Sequence, residues 1–160
     1  NDVTSAVTVA NLPRMELPLD ARIPDTYIEH MPTRLAIYQR IAKTADREDI
    51  PVLKEELEDR FGPPPQEVDN LLLIADLRAL AGMANIESVQ HTKDSIVLGL
   101  RSPVGGARAP LQQTLGPSAE VGNQQVHLPM RRLGDEWLSR LTRVLERFLI
   151  FYERMSSLPS

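Results

Sequence analysis

Apolar residues recur at three- and four-residue spacing in the first half of the chain and again near its end, and at two-residue spacing between, so helices flank a set of strands. From Pro32, the residues Leu35, Tyr38, Ala42 and Ala45 recur with Arg34, Gln39, Arg40 and Lys43 between them, which predicts an amphipathic helix of about four turns. A second helix is predicted from Ile50, with Asp49 as N-cap, Pro51 in the first turn, and Ile50, Leu53, Leu57 and Phe61 as its stripe. Gly62 and the prolines at 63, 64 and 65 should stop it. A third helix follows from Pro65 to Ala81, where Leu71, Leu72, Leu73, Ile74, Ala75, Leu77 and Leu80 are too dense for one face. It should be the most buried helix, with Leu72 and Leu77 in the core.

Past Gly82 the period falls to two. A strand over Ile86 to His91 and another through Ile96, Leu98 and Leu100 form a hairpin about Lys93-Asp94. Residues 101–118 hold Gly105-Gly106 and two prolines and predict a loop-rich crossover with a short helical piece near Leu111 to Leu115. Val121 and Val126 flank a Gly122-Asn123 turn in a second hairpin that Leu128 closes. Asp135 is the expected cap of a long last helix with the stripe Leu138, Leu141, Leu145, Phe148, Leu149 and Tyr152. Before the helices, residues 1–14 read as a linker, and Met15 to Leu19 as a short edge strand. The expected architecture is α+β: N-terminal helices and a long C-terminal helix on one face of a small, mostly antiparallel sheet. Residues 15–156 are expected to form a single domain, with 157–160 as a tail.

Composition narrows the function. The 160 residues carry a net charge of −4, so no global positive field draws the chain to nucleic acid. There is no cysteine, which excludes disulfides and thiolate chemistry. No apolar run is long enough to span a bilayer, and the first ten residues lack the makings of a signal peptide, so a cytoplasmic location is expected. The chain opens with Asn rather than Met, the expectation for a processed chain or a segment of a longer one.

Candidate chemistry is sparse. His30, His91 and His127 have no metal-ligand spacing, and Gly105-Gly106 lacks the lysine and strand-to-helix setting of a phosphate loop. Asp135-Glu136 has no apolar strand before it, so it reads as capping rather than a magnesium-binding box. No catalytic residue, metal or cofactor is expected. Two charged groupings remain. Glu56, Asp59 and Arg60 lie along one side of the second helix beside its apolar stripe; they suit either a solvated edge or a protein-recognition edge. Arg140, Arg143, Arg147 and Arg154 on the last helix suit either a weak phosphate-contacting strip or surface charge balancing Glu146 and Glu153.

The sequence also resembles a known family. The runs Ile23-Pro24-Asp25-x-Tyr27-Ile28, Arg34-Leu35-x-x-Tyr38-x-Arg40-Ile41-Ala42 and Glu56-Leu57-x-Asp59-Arg60-Phe61-Gly62-x-x-Pro65, followed by Leu71-Leu72 and Leu77-Arg78, resemble the C-terminal domain of the bacterial transcription-repair coupling factor over about residues 15 to 155. Glu29 and His30 depart from that family's usual Pro and Asp, which bears on how the first helix is capped. The resemblance implies a parent that is an ATP-dependent DNA translocase, displaces stalled RNA polymerase and recruits the excision-repair protein UvrA, with ATP and magnesium held by motor domains elsewhere. It implies that this domain is non-catalytic and regulatory. It would pack on the parent's N-terminal UvrB-like module through Glu56, Asp59 and Arg60, masking the surface that UvrA uses. The isolated domain is expected to be a monomer. The alternative is an accessory nucleic-acid contact through the arginines of the last helix.

Overall fold

A computed structural model describes residues 12–157. These residues divide into two compact units, whose boundary falls between Ala79 and Leu80. The first comprises Leu12 and Pro18–Ala79; the second comprises Pro13–Leu17 and the chain from Leu80 onward.

In the first unit, α1 (Met31–Ala42), α2 (Asp49–Phe61) and the greater part of α3 (Gln66–Met83) enclose one apolar core. Ile23 and Ile28, ahead of α1, join Ile37, Ile41, Ile50, Leu53, Leu57, Val68, Leu72 and Ala75 in it. The α2 stripe stands as predicted, with Ile50, Leu53 and Leu57 buried and Phe61 packed at its margin. The α1 stripe does not. Leu35 is 52% exposed, and the buried pair is Ile37 and Ile41. The segment before the helix decides which face turns inward: Ile23 N–H donates to the Tyr38 hydroxyl at 2.7 Å, and Arg34 Nη1 donates to the Ile28 carbonyl at 2.7 Å. Those bonds seat the 23–28 segment across the helix. Ala45 lies beyond the end of α1, where Lys43 N–H donates to the Gln39 carbonyl.

The caps also differ from expectation. Glu48, not Asp49, holds the α2 N-cap position, because the Asp46 carboxylate accepts the Glu48 N–H at 3.0 Å and turns the chain earlier. Asp49 lies in the first turn, where its charge suits the positive end of the helix. Gly62 ends α2 at φ +89, a conformation that favours glycine, with its N–H on the Glu58 carbonyl. His30 caps α1 without a side-chain bond to backbone; its Nδ1 lies 2.8 Å from Thr33 Oγ1.

The second unit holds a five-stranded mixed sheet in the order β1-β2-β3-β5-β4, formed by β1 (Arg14–Glu16), β2 (Ile86–His91), β3 (Ser95–Leu100), β4 (Glu120–Val121) and β5 (Gln125–Pro129). The edge pair β1–β2 is parallel and the other pairs are antiparallel. Both predicted hairpins are present. Ile96, Leu98 and Leu100 point inward, with Leu98 facing Val89 on one side and Val126 on the other. Gly99 faces Ser88, and a Cβ added to it would come 2.4 Å from Ser88 Oγ, so a larger residue there obliges the Ser88 hydroxyl to turn away.

The stretch read as loop-rich is more ordered than expected. A single 3-10 turn at Gly105–Ala107 leads into α4 (Arg108–Leu115), which buries Leu111 and Leu115. Val104 N–H donates to the Asn123 carbonyl and Gly105 N–H to Asn123 Oδ1, tying this stretch to the second hairpin. A one-turn α5 (Met130–Leu133), not foreseen, precedes α6 (Trp137–Ser156). Asp135 therefore does not cap α6. Gly134 turns the chain at φ +75 and places Glu136 at the N-cap without a side-chain bond. The α6 stripe buries Leu141, Val144, Leu145 and Phe148; the helix packs against α4 and α5, which contact β4 and β5 in turn. The α+β class and the long C-terminal helix are as expected.

Candidate partner-binding face

The three residues read as a recognition edge lie together on α2, but they are not equivalent. Glu56 is the hub. Its Oε2 accepts from Arg40 Nη1 at 2.6 Å and from Arg60 Nη1 at 3.2 Å, so one carboxylate ties α1 to α2 and closes an i,i+4 pair. The hydrogen bond from Arg40, and then that from Arg60, hold the Glu56 carboxyl below the usual glutamate range; the bond to Glu56 raises Arg40 in return. Asp59, in contrast, is exposed and makes no hydrogen bond or ion pair with any described residue. Its charge faces solvent unspent.

The direction of this cluster is set from beneath. The Arg60 guanidinium lies 4.8 Å over the Phe61 ring, and Phe61 meets Tyr27 edge-on with ring centroids 5.8 Å apart. The Tyr27 hydroxyl donates to the Gly62 carbonyl at 2.8 Å, with the Leu57 carbonyl a second acceptor at 3.2 Å. Burial, with the charges of Glu58 and Asp69, pushes this phenol up. The end of α2 is thus clamped by a residue thirty-five positions from Gly62, and the charged edge has little freedom to rotate.

One turn before Glu56, Val52 is 62% exposed. It borders an open groove of about 340 Å³ that is also lined by Arg40, Lys43, Thr44, Asp49 and Leu53. An apolar side chain beside a fixed triad and a free carboxylate makes an anchor with a charged rim. A larger groove of about 460 Å³ lies between α2 and α3, but its charges already pair with one another: Arg47 meets Asp76 at 2.8 Å and Lys54 meets Asp69 at 3.3 Å. No three His, Asp or Glu side chains among the described residues are grouped to hold a metal ion. Arg40 and Val52 escaped sequence reasoning: the Arg40 pairing spans sixteen residues between two helices, and Val52 is notable only once its exposure is known.

These features define a small α+β module that displays a fixed charge cluster on one helix face. The TRCF domain family matches residues 17–104, and the chain belongs to that family. The transcription-repair-coupling factor of Bacillus subtilis is 30% identical over 147 residues, covering 82% of this chain and 12% of the relative. That of Staphylococcus epidermidis is 32% identical over 135 residues, 79% of this chain and 11% of the relative. That of Rickettsia prowazekii is 33% identical over 89 residues, 56% of this chain and 8% of the relative. The chain therefore spans about an eighth or less of these proteins. The crystal structure of the C-terminal domain of a transcription-repair coupling factor has the same fold, with a TM-score of 0.73 at 21% identity over 91% of this chain and 96% of that one. No helix among the described residues is long and apolar enough to cross a membrane.

Proposed function

We propose that this chain is a non-catalytic regulatory domain of a cytoplasmic transcription-repair coupling factor, and that it packs on the parent's UvrB-like N-terminal module to mask the surface that UvrA uses. The observation that carries this reading is the unpaired Asp59 beside the Arg40–Glu56–Arg60 triad on an exposed helix face. Internal pairing consumes Glu56 and fixes its direction, whereas Asp59 keeps a full charge for a partner cation. Val52 supplies the apolar contact next to it. ATP and magnesium chemistry, and engagement of RNA polymerase and DNA, belong in this account to other parts of the parent. The domain itself works as a monomer without a cofactor.

Calorimetric titration of this chain into the isolated UvrB-like module tests the reading. The wild-type chain should bind, Asp59→Lys should weaken binding about tenfold or more through like-charge contact, and Val52→Asp should weaken it as well. Tight binding that neither substitution alters would move the contact off this face.

A further inference from the structure

The second unit carries a charge pattern that the proposed masking role does not use. It holds ten basic against eight acidic residues, whereas the first unit holds eight against thirteen, so the net negative charge of the whole chain conceals a basic half. On α6, Arg140, Arg143, Arg147 and Arg154 fall within about 60° of arc at 100° per residue, and they run about 21 Å along the axis at 1.5 Å per residue. All four are exposed.

Charge balancing by neighbouring carboxylates is the plain explanation for them, but no ion pair realises it. Glu146 and Glu153 flank the row, Glu146 one turn from Arg143, and pair with none of the four. Arg143, Arg147 and Arg154 make no side-chain hydrogen bond or ion pair among the described residues, and Arg140 only reaches the Arg132 carbonyl at 3.4 Å. A row of unsatisfied guanidinium groups on a rigid helix is repulsive by itself and gains from an anionic partner.

We infer that this arginine edge of α6 binds the phosphate backbone of nucleic acid without regard to sequence. Guanidinium forks match phosphate oxygens two at a time. At about 3.4 Å of duplex axis per phosphate on one strand, the roughly 21 Å row is long enough to reach several phosphates. A protein interface would need an apolar centre, whereas the apolar side chains beside this row, Ile150 and the half-buried Phe151, lie at its two margins. The row itself offers only guanidinium groups, so the contact carries charge and no sequence readout.

Fluorescence anisotropy with a labelled duplex of arbitrary sequence, across a salt series, tests this. The wild-type chain should bind at low salt, with a log–log salt slope of about −2.7 to −3.6 for three to four phosphates. Arg143→Gln, Arg147→Gln and Arg154→Gln combined should lower affinity at least tenfold and flatten the slope, while the three Arg→Lys changes keep the slope, since the charge is retained, and bind more weakly than wild type, since the fork is lost. A control carrying Arg14→Gln and Lys93→Gln, in the sheet and its turn, should bind as wild type. The inference is overturned if no binding is detected at low salt, if the control loses as much as the triple variant, or if polyglutamate of equal charge binds as tightly as duplex. The last outcome would assign the edge to an acidic protein. Since the residues involved lie on α6, failure here leaves the α2 reading untouched.

Discussion

Leu57 is the residue on which the orientation of the charged face rests. It is fully buried, lies between Glu56 and the Asp59-Arg60 pair on α2, and its carbonyl is one of the two acceptors of the Tyr27 hydroxyl. Leu57→Ala deletes three carbon atoms from the core, a transfer loss of about 2.4 kcal/mol at ~0.8 kcal/mol for each. A residual void of about 50 Å³ adds about 1.2 kcal/mol at ~24 cal/mol per Å³. The expected destabilisation is therefore about 3 to 4 kcal/mol, read from urea unfolding followed by circular dichroism, with the midpoint moving and the slope unchanged. Val52 on the same helix provides the contrast. At 62% exposure, Val52→Ala should change stability by no more than about 0.5 kcal/mol, and the better helix propensity of alanine acts in its favour. A Leu57→Ala loss below about 1 kcal/mol, or equal losses at the two positions, would refute the placement of α2.

Further predictions concern the clamp and the triad. Tyr27→Phe removes the donor to the Gly62 and Leu57 carbonyls while keeping the ring against Phe61, and should cost about 0.5 to 1.5 kcal/mol in the same unfolding assay. Because the folded state raises the Tyr27 phenol, its stabilising share is present below the ordinary tyrosine range and is lost as pH rises through the folded value; ultraviolet titration of wild type against Tyr27→Phe should show one phenol ionising late. Glu56 behaves in the opposite sense. Its folded value is depressed, so the bridge to Arg40 and Arg60 persists above the ordinary glutamate value and is lost only as pH falls below it, which carboxyl chemical shifts should register.

Much of the fold was legible because local rules act within single elements. The α2 and α6 stripes, the Gly62 stop and both hairpin turns follow from period and turn chemistry, and the structure holds each of them. The α1 face was misread because Leu35 and Ile37 both fit a helical period, and only the hydrogen bonds from the 23–28 segment select between them. The pairing of β5 with β3 joins strands that a helix and another strand separate in sequence, so no local signal announces it. Asp49 and Asp135 have the right chemistry for caps, but turns set by Asp46 and Gly134 place other residues there. At the candidate site, the side chains on α2 could be named from spacing. Their division into a consumed Glu56 and a free Asp59 could not, because it depends on Arg40 arriving from another helix.

The masking account is tested most directly by UvrA affinity in the full-length parent carrying Asp59→Lys. Asp59 contributes nothing to the internal triad, so the variant should fold as wild type while the intramolecular contact weakens. If the contact and UvrA compete for one surface, the equilibrium shifts toward the open form and the apparent affinity for UvrA rises, by up to the factor by which the contact was weakened. UvrA binding that is unchanged in a correctly folded Asp59→Lys parent would contradict the account.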